Sequence, residues 1–88
     1  MKYEVSLEAK AKKQLAKLSD HELTRVVAAL DALASDPRPA GVKKLKGEHS
    51  GLYRIRVGDI RILYRVNDRI LLVEVWELGK RAKVYRKR

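Results

Sequence analysis

Residues 52–77 read LYRIRVGDIRILYRVNDRILLVEVWE, and this stretch decides the fold. Apolar and polar residues alternate through it with a period of two, the pattern of half-buried strands. Gly58-Asp59 and Asn67-Asp68 interrupt the alternation where two-residue hairpin turns fit. The spacing therefore predicts three strands in an antiparallel meander. A tight first turn sets Val57 opposite Ile60, Arg56 opposite Arg61, Ile55 opposite Ile62, Arg54 opposite Leu63 and Tyr53 opposite Tyr64. A tight second turn sets Val66 opposite Arg69, Tyr64 opposite Leu71, Ile62 opposite Val73, Arg61 opposite Glu74 and Ile60 opposite Val75.

Those registers sort the side chains onto two faces. One collects Tyr53, Ile55, Val57, Ile60, Ile62, Tyr64, Val66, Leu71, Val73 and Val75, and must be buried. The other collects Arg54, Arg56, Arg61, Arg65 and Glu74, with Leu52, Leu63, Ile70, Leu72 and Trp76 among them. Arg56 directly opposite Arg61 costs stability, since like charges so placed repel by roughly 0.2–1 kcal/mol. Long side chains shielding a sheet are one account of that row. An anionic ligand is the better one, because phosphate relieves the repulsion and matches the guanidinium fork. Leu63, Ile70 and Leu72 would form an exposed apolar patch on the same face, suited to a protein partner.

The buried face needs a cover, and the preceding residues supply one. Lys2 to Ser6 reads as a short strand, with Tyr3 and Val5 on one side and Ser6 available to cap the next helix. Glu8 to Leu18 carries Ala11, Leu15 and Leu18 at helical spacing, with lysines on the opposite, solvated side. Ser19 and Glu22 form a capping box ahead of a stripe of Leu23, Val26, Val27, Leu30 and Leu33. Asp36-Pro37-Arg38-Pro39 ends that second helix. The short link predicts an antiparallel helical hairpin packed on one face of the sheet, an α+β fold in a single domain spanning 1–88. Val42 to Leu45 reads as a short edge strand in the loop between.

Composition narrows the function. The 88 residues hold 45% hydrophobic side chains, enough for one core. There is no cysteine, and His21 and His49 stand in no ligand spacing, so neither a disulfide framework nor a metal site is expected. Nothing approaches the length of a membrane span, which points to a soluble, cytoplasmic protein without a membrane partner. The net charge is +10 and lopsided: residues 1–42 balance to +1 and residues 43–88 to +9. A one-sided basic field points to nucleic acid or to an acidic protein partner. The last residues, Gly79 to Arg88, set Tyr85 among six cations, a pattern in which an aromatic ring stacks on a base while cations hold the backbone. A generic basic tail is the plainer alternative.

Taken in order, the strand, the helical hairpin, the stretch from Leu52 to Tyr64, then Gly79-Lys80-Arg81 and Tyr85 resemble the RelE/ParE toxin superfamily of prokaryotic toxin–antitoxin systems over nearly the whole chain. The resemblance implies a ribosome-dependent endoribonuclease. It would cut messenger RNA by attack of a ribose 2′-hydroxyl on the adjacent phosphate, with no metal or other cofactor. It implies Arg61, Arg81 and Tyr85 as catalytic residues, with Arg54, Arg56, Arg65, Lys80 and Lys83 holding substrate. The partners implied are the ribosome, mRNA and a cognate acidic, RelB-like antitoxin, in assemblies up to a toxin–antitoxin heterotetramer. RelE-type enzymes often carry lysines where this chain has Arg54 and Arg56. Arginine is a poor proton acceptor, so Glu74, His49 and Tyr85 stand as candidates for the general base. Two other readings stay open: a ParE-like inhibitor of DNA gyrase, and a non-catalytic RNA-binding domain.

Overall fold

The computed structural model describes residues 2–80. The elements run β1 (Glu4–Leu7), α1 (Ala9–Ala16), α2 (Asp20–Ser35), β2 (Lys43–Lys44), a 3-10 turn at Gly47–His49, β3 (Tyr53–Val57), β4 (Ile60–Asn67) and β5 (Leu72–Lys80). They build the α+β fold expected from the sequence. The sheet has five strands in the order β1-β5-β4-β3-β2. The first strand, whose position the sequence left unassigned, lies parallel to β5, with Val5 opposite Val73 and Leu7 opposite Val75. The helical crossover α1–α2 makes that parallel pairing sterically accessible. All other pairings are antiparallel.

The core forms where the buried sheet face meets the hairpin. Ala11, Val26, Leu30 and Leu33 from the helices close on Ile60, Ile62, Tyr64, Val73, Val75 and Leu78. The capping box at α2 is present, with Ser19 Oγ accepting from the Glu22 backbone N–H and Glu22 Oε1 accepting from the Ser19 N–H, both at 3.1 Å. Two details of the helices differ from expectation. Ser6 belongs to β1 and does not cap α1, whose N-cap is Glu8 without a side-chain hydrogen bond. Val27 lies at the edge of the apolar stripe and is exposed.

The first hairpin has the predicted register at all five pairs, from Tyr53 opposite Tyr64 to Val57 opposite Ile60. The second does not. The Asn67 side-chain oxygen accepts from the backbone N–H groups of Arg69 and Ile70, at 3.0 and 3.3 Å, which opens the turn to four residues. Leu71 closes it in the left-handed region at φ 54°, rather than packing in the core. Asn67 then pairs with Leu72, Val66 with Val73 and Arg65 with Glu74. A bulge follows, because Tyr64 pairs with Val75 while Leu63 pairs with Glu77 and Trp76 has no counterpart. Past the bulge Ile62 meets Leu78 and Arg61 meets Gly79. The expected pairing of Arg61 with Glu74 is therefore corrected, and the strand runs on to Lys80.

The expected apolar patch is corrected too. Leu63 is fully buried and Leu72 half-buried, while Ile70 and Trp76 are the exposed members. At the end of the sheet near the second turn a polar clamp joins the N-terminal segment, the loop after α2, the β4–β5 turn and the start of β3. Arg38 donates to both carboxylate oxygens of Asp68 (3.2 and 2.8 Å) and to the Tyr53 hydroxyl (3.0 Å), and Tyr3 donates to Asp68 (2.6 Å). Tyr64, stacked on Tyr53, donates its buried hydroxyl to the Pro37 carbonyl at 2.6 Å. Arg38 and Tyr3 hold the Asp68 carboxyl below the usual range, and burial raises the Tyr64 phenol.

Candidate nucleic-acid interface

The open face of the sheet is the face away from the helices. On β3 it receives every second residue, Arg54 and Arg56, because Ile55 and Val57 point to the core. On β4 it receives Arg61, Leu63 and Arg65 by the same alternation. Directly paired residues share a face, so Arg56 stands beside Arg61, and Arg54 beside Leu63. The edge strand adds one cation that the sequence had not singled out as a site residue. Lys43 pairs with Arg54, whereas Lys44 pairs with Tyr53 on the core side.

Arg61 is the centre of this cluster. Its Nε is buried and makes no hydrogen bond, although the residue as a whole is half-exposed. The inner part of the guanidinium is therefore packed against its surroundings rather than solvated. A buried guanidinium N–H left unsatisfied is costly, by about 1–3 kcal/mol. On its other side stands Gly79, which presents no side chain to cover it. The bulge at Trp76 is what brings that glycine into place. A shallow recess of about 290 Å³ opens here, lined by Arg56, Gly58, Asp59 and Arg61. Gly58 takes a positive φ of 63°, and a side chain there would meet the Arg25 guanidinium at 3.1 Å. The turn thus needs glycine for its backbone, while the Arg25 side chain could shift by the few tenths of an ångström that a Cβ would require.

The remaining expected site residues lie elsewhere. Arg65 sits four residues along β4, opposite Glu74 and stacked on Trp76 with 5.1 Å from its guanidinium carbon to the ring centre. At about 3.4 Å per residue this is roughly 14 Å from Arg61. Lys80 is held by Glu22 across a 2.9 Å ion pair. Each shifts the other, the lysine upward and the Glu22 carboxyl downward, with the Ser19 backbone N–H also lowering the latter. Arg81, Lys83 and Tyr85 fall outside the described residues. Of the general-base candidates, Glu74 stands beside Arg65, away from Arg61, and His49 lies in the 3-10 turn. Asp59, a residue not singled out from the sequence, is the carboxylate in the recess lining. Its place on a turn hid it, because turn aspartates are common for backbone reasons alone.

Among the described residues no group of three or more His, Cys, Asp or Glu side chains could hold a metal ion. No helix among them is long and apolar enough to cross a membrane.

Comparison with known proteins agrees with this geometry. The family described as "ParE toxin of type II toxin-antitoxin system, parDE" matches residues 5–85. Toxin RelG of Mycobacterium tuberculosis is 34% identical over 88 residues, covering 99% of this chain and 100% of that protein. The archaeal RelE–RelB complex from Pyrococcus horikoshii superposes with a TM-score of 0.81 at 31% identity, covering 94% of this chain and 99% of that one. The toxin–antitoxin complex RelBE2 from Mycobacterium tuberculosis gives 0.84 at 30% identity, with 94% and 95% covered. By its family match, its relatives and its fold, this chain belongs to the RelE/ParE superfamily and is a RelE-family toxin of a type II toxin–antitoxin system.

Proposed function

We propose that the toxin is an endoribonuclease that cuts messenger RNA on the ribosome. The observation that carries this reading is the pair of arginines facing each other across β3 and β4 beside the bare backbone of Gly79. Two guanidinium groups side by side repel until a dianionic or pentacoordinate phosphate lies between them. That arrangement favours the charge that develops in the transition state. In the reaction, the 2′-oxygen bonds to the adjacent phosphorus and the bond from phosphorus to the 5′-oxygen breaks. The 2′-hydroxyl proton passes to a base and the departing 5′-oxygen takes up a proton, leaving a 2′,3′-cyclic phosphate and a 5′-hydroxyl.

Arg61 and Arg81 hold the scissile phosphate and stabilise its charge. Arg54 and Arg56 extend the cradle, while Arg65 and Lys83 bind the strand. Lys80, engaged by Glu22, fixes the end of β5 as well as adding to the field. Tyr85 stacks on a base or orients the 2′-hydroxyl. The partners are the ribosome, its mRNA and an acidic antitoxin that covers the basic face in the cytoplasm.

Arg61→Ala should lower single-turnover cleavage of ribosome-bound mRNA by about 10²–10³-fold, as expected for loss of one transition-state donor. It should also relieve growth arrest on induction. A fully toxic Arg61→Ala protein would sink the assignment. The family match to ParE toxins favours one second reading, inhibition of DNA gyrase. In that case supercoiling would fail on induction before translation does, and mRNA cleavage would be absent from the wild-type protein and from Arg61→Ala alike.

A further inference from the structure

The open face carries cations in two rows, and Lys43 of the second has no part in the proposed chemistry of the scissile phosphate. One row, across β3 and β4, is Arg56 and Arg61, ending on Gly79. The other, across β2 and β3, is Lys43 and Arg54, and it continues through the buried Leu63 to Glu77 on β5, whose carboxylate is held by Lys10 at 3.0 Å. Neighbours within a row stand one strand spacing apart, about 4.8 Å. The rows themselves are separated by two residues along β3, about 6.8 Å at the rise of an extended strand. That separation is comparable to the reach of one sugar–phosphate repeat in an extended single strand. Gly79 presents no side chain at the end of the first row, and the Glu77 carboxylate at the end of the second is already engaged by Lys10.

We propose that Lys43, paired with Arg54, forms a second phosphate subsite one nucleotide from the Arg56–Arg61 row, so that the substrate strand runs along β3. The assignment rests on the endoribonuclease reading and deepens it. It gives the two-residue strand β2 a role beyond closing the sheet edge: the pairing of Lys43 with Arg54 fixes the lysine's face, where a loop would leave it undirected. A lysine serves this position because it acts as a compact point charge. It holds a phosphate without the fork geometry needed where the chemistry occurs. Lys43 therefore binds substrate without touching the reacting atoms.

The neighbouring lysine supplies the control. Lys44 has the same charge on the same strand, is equally exposed, and pairs with Tyr53 on the opposite face. The full-length protein would be titrated with a fluorescein-labelled single-stranded RNA of about ten nucleotides over a range of salt concentrations. Lys43→Gln should weaken binding severalfold and reduce the slope of log affinity against log salt by about 0.7, the loss of one phosphate contact on a single strand. Lys44→Gln should leave the slope unchanged. Equal effects from the two variants would overturn the subsite while leaving the RNA reading intact. A wild-type protein with no salt-dependent RNA binding would overturn both. Both lysines are exposed, so unchanged melting temperatures should accompany either result.

Discussion

The chemistry proposed for this protein turns on one missing partner, the group that takes the 2′-hydroxyl proton. The arginines at positions 54, 56 and 61 remain charged at any physiological pH and serve as electrostatic elements. Glu74 loses its claim by position, since the four-residue turn and the bulge set it beside Arg65 instead of Arg61. Asp59 gains one, because it lines the recess with Arg56 and Arg61. Asp59→Asn keeps the shape and removes the proton acceptor. If Asp59 acts as the base, cleavage of ribosome-bound mRNA should fall by about 10²-fold, the lower end for general-base catalysis, with little change in RNA affinity. Unchanged cleavage would exclude the role. A tighter RNA affinity at unchanged rate would show that Asp59 acts only by repelling phosphate.

At the scale of elements, the two hairpins show what was legible in the sequence and what was not. Gly58-Asp59 gave the correct turn and five correct pairs, because a glycine at the first position of a two-residue loop fixes both conformation and register. Asn67-Asp68 was a correct turn signal with the wrong length. The Asn67 side chain captures two later backbone donors, and Leu71 accepts a left-handed backbone that few leucines adopt. Neither choice leaves a mark in the hydrophobic alternation. The bulge at Trp76 shows only as a break in the alternation, Trp76-Glu77-Leu78 after Val73-Glu74-Val75, and that break does not tell a bulge from the end of the strand. Yet the bulge decides the end of the strand, moving Leu78 into the core and Gly79 beside Arg61. A regular strand through Val73 and Val75 would have put Leu78 on the open face. Leu78→Ala should therefore cost about 2–4 kcal/mol in denaturant unfolding, the range for a buried leucine. Ile70→Ala, at an equally apolar but 62% exposed position, should stay within about 0.5 kcal/mol. Similar costs for the two would mean that the strand continues without a bulge.

At the scale of the whole molecule the net charge of +10 matters less than its distribution. The apolar face of the sheet is sealed by the helical hairpin, so cations are free to collect on the open face without opposing the core. Lys12, Lys13 and Lys17 also carry charge, but on α1 and its C-cap, across the sheet from that face. They add to the long-range field and should help encounter with any polyanion. They cannot reach a strand lying on β3 and β4. Long-range terms are damped at physiological salt, where the screening length is about 8 Å, while direct phosphate contacts persist. A variant with glutamine at positions 12, 13 and 17 should then associate with programmed ribosomes more slowly at low salt and converge on wild type near physiological salt. An Arg54→Gln, Arg56→Gln variant removes fewer charges, yet it should stay impaired at both. Stopped-flow association measured at two ionic strengths separates these outcomes. If the triple lysine variant remained the slower of the two at physiological salt, the ribosome and its RNA would have to be met by the helical side, and the open face of the sheet would lose its place as the substrate surface.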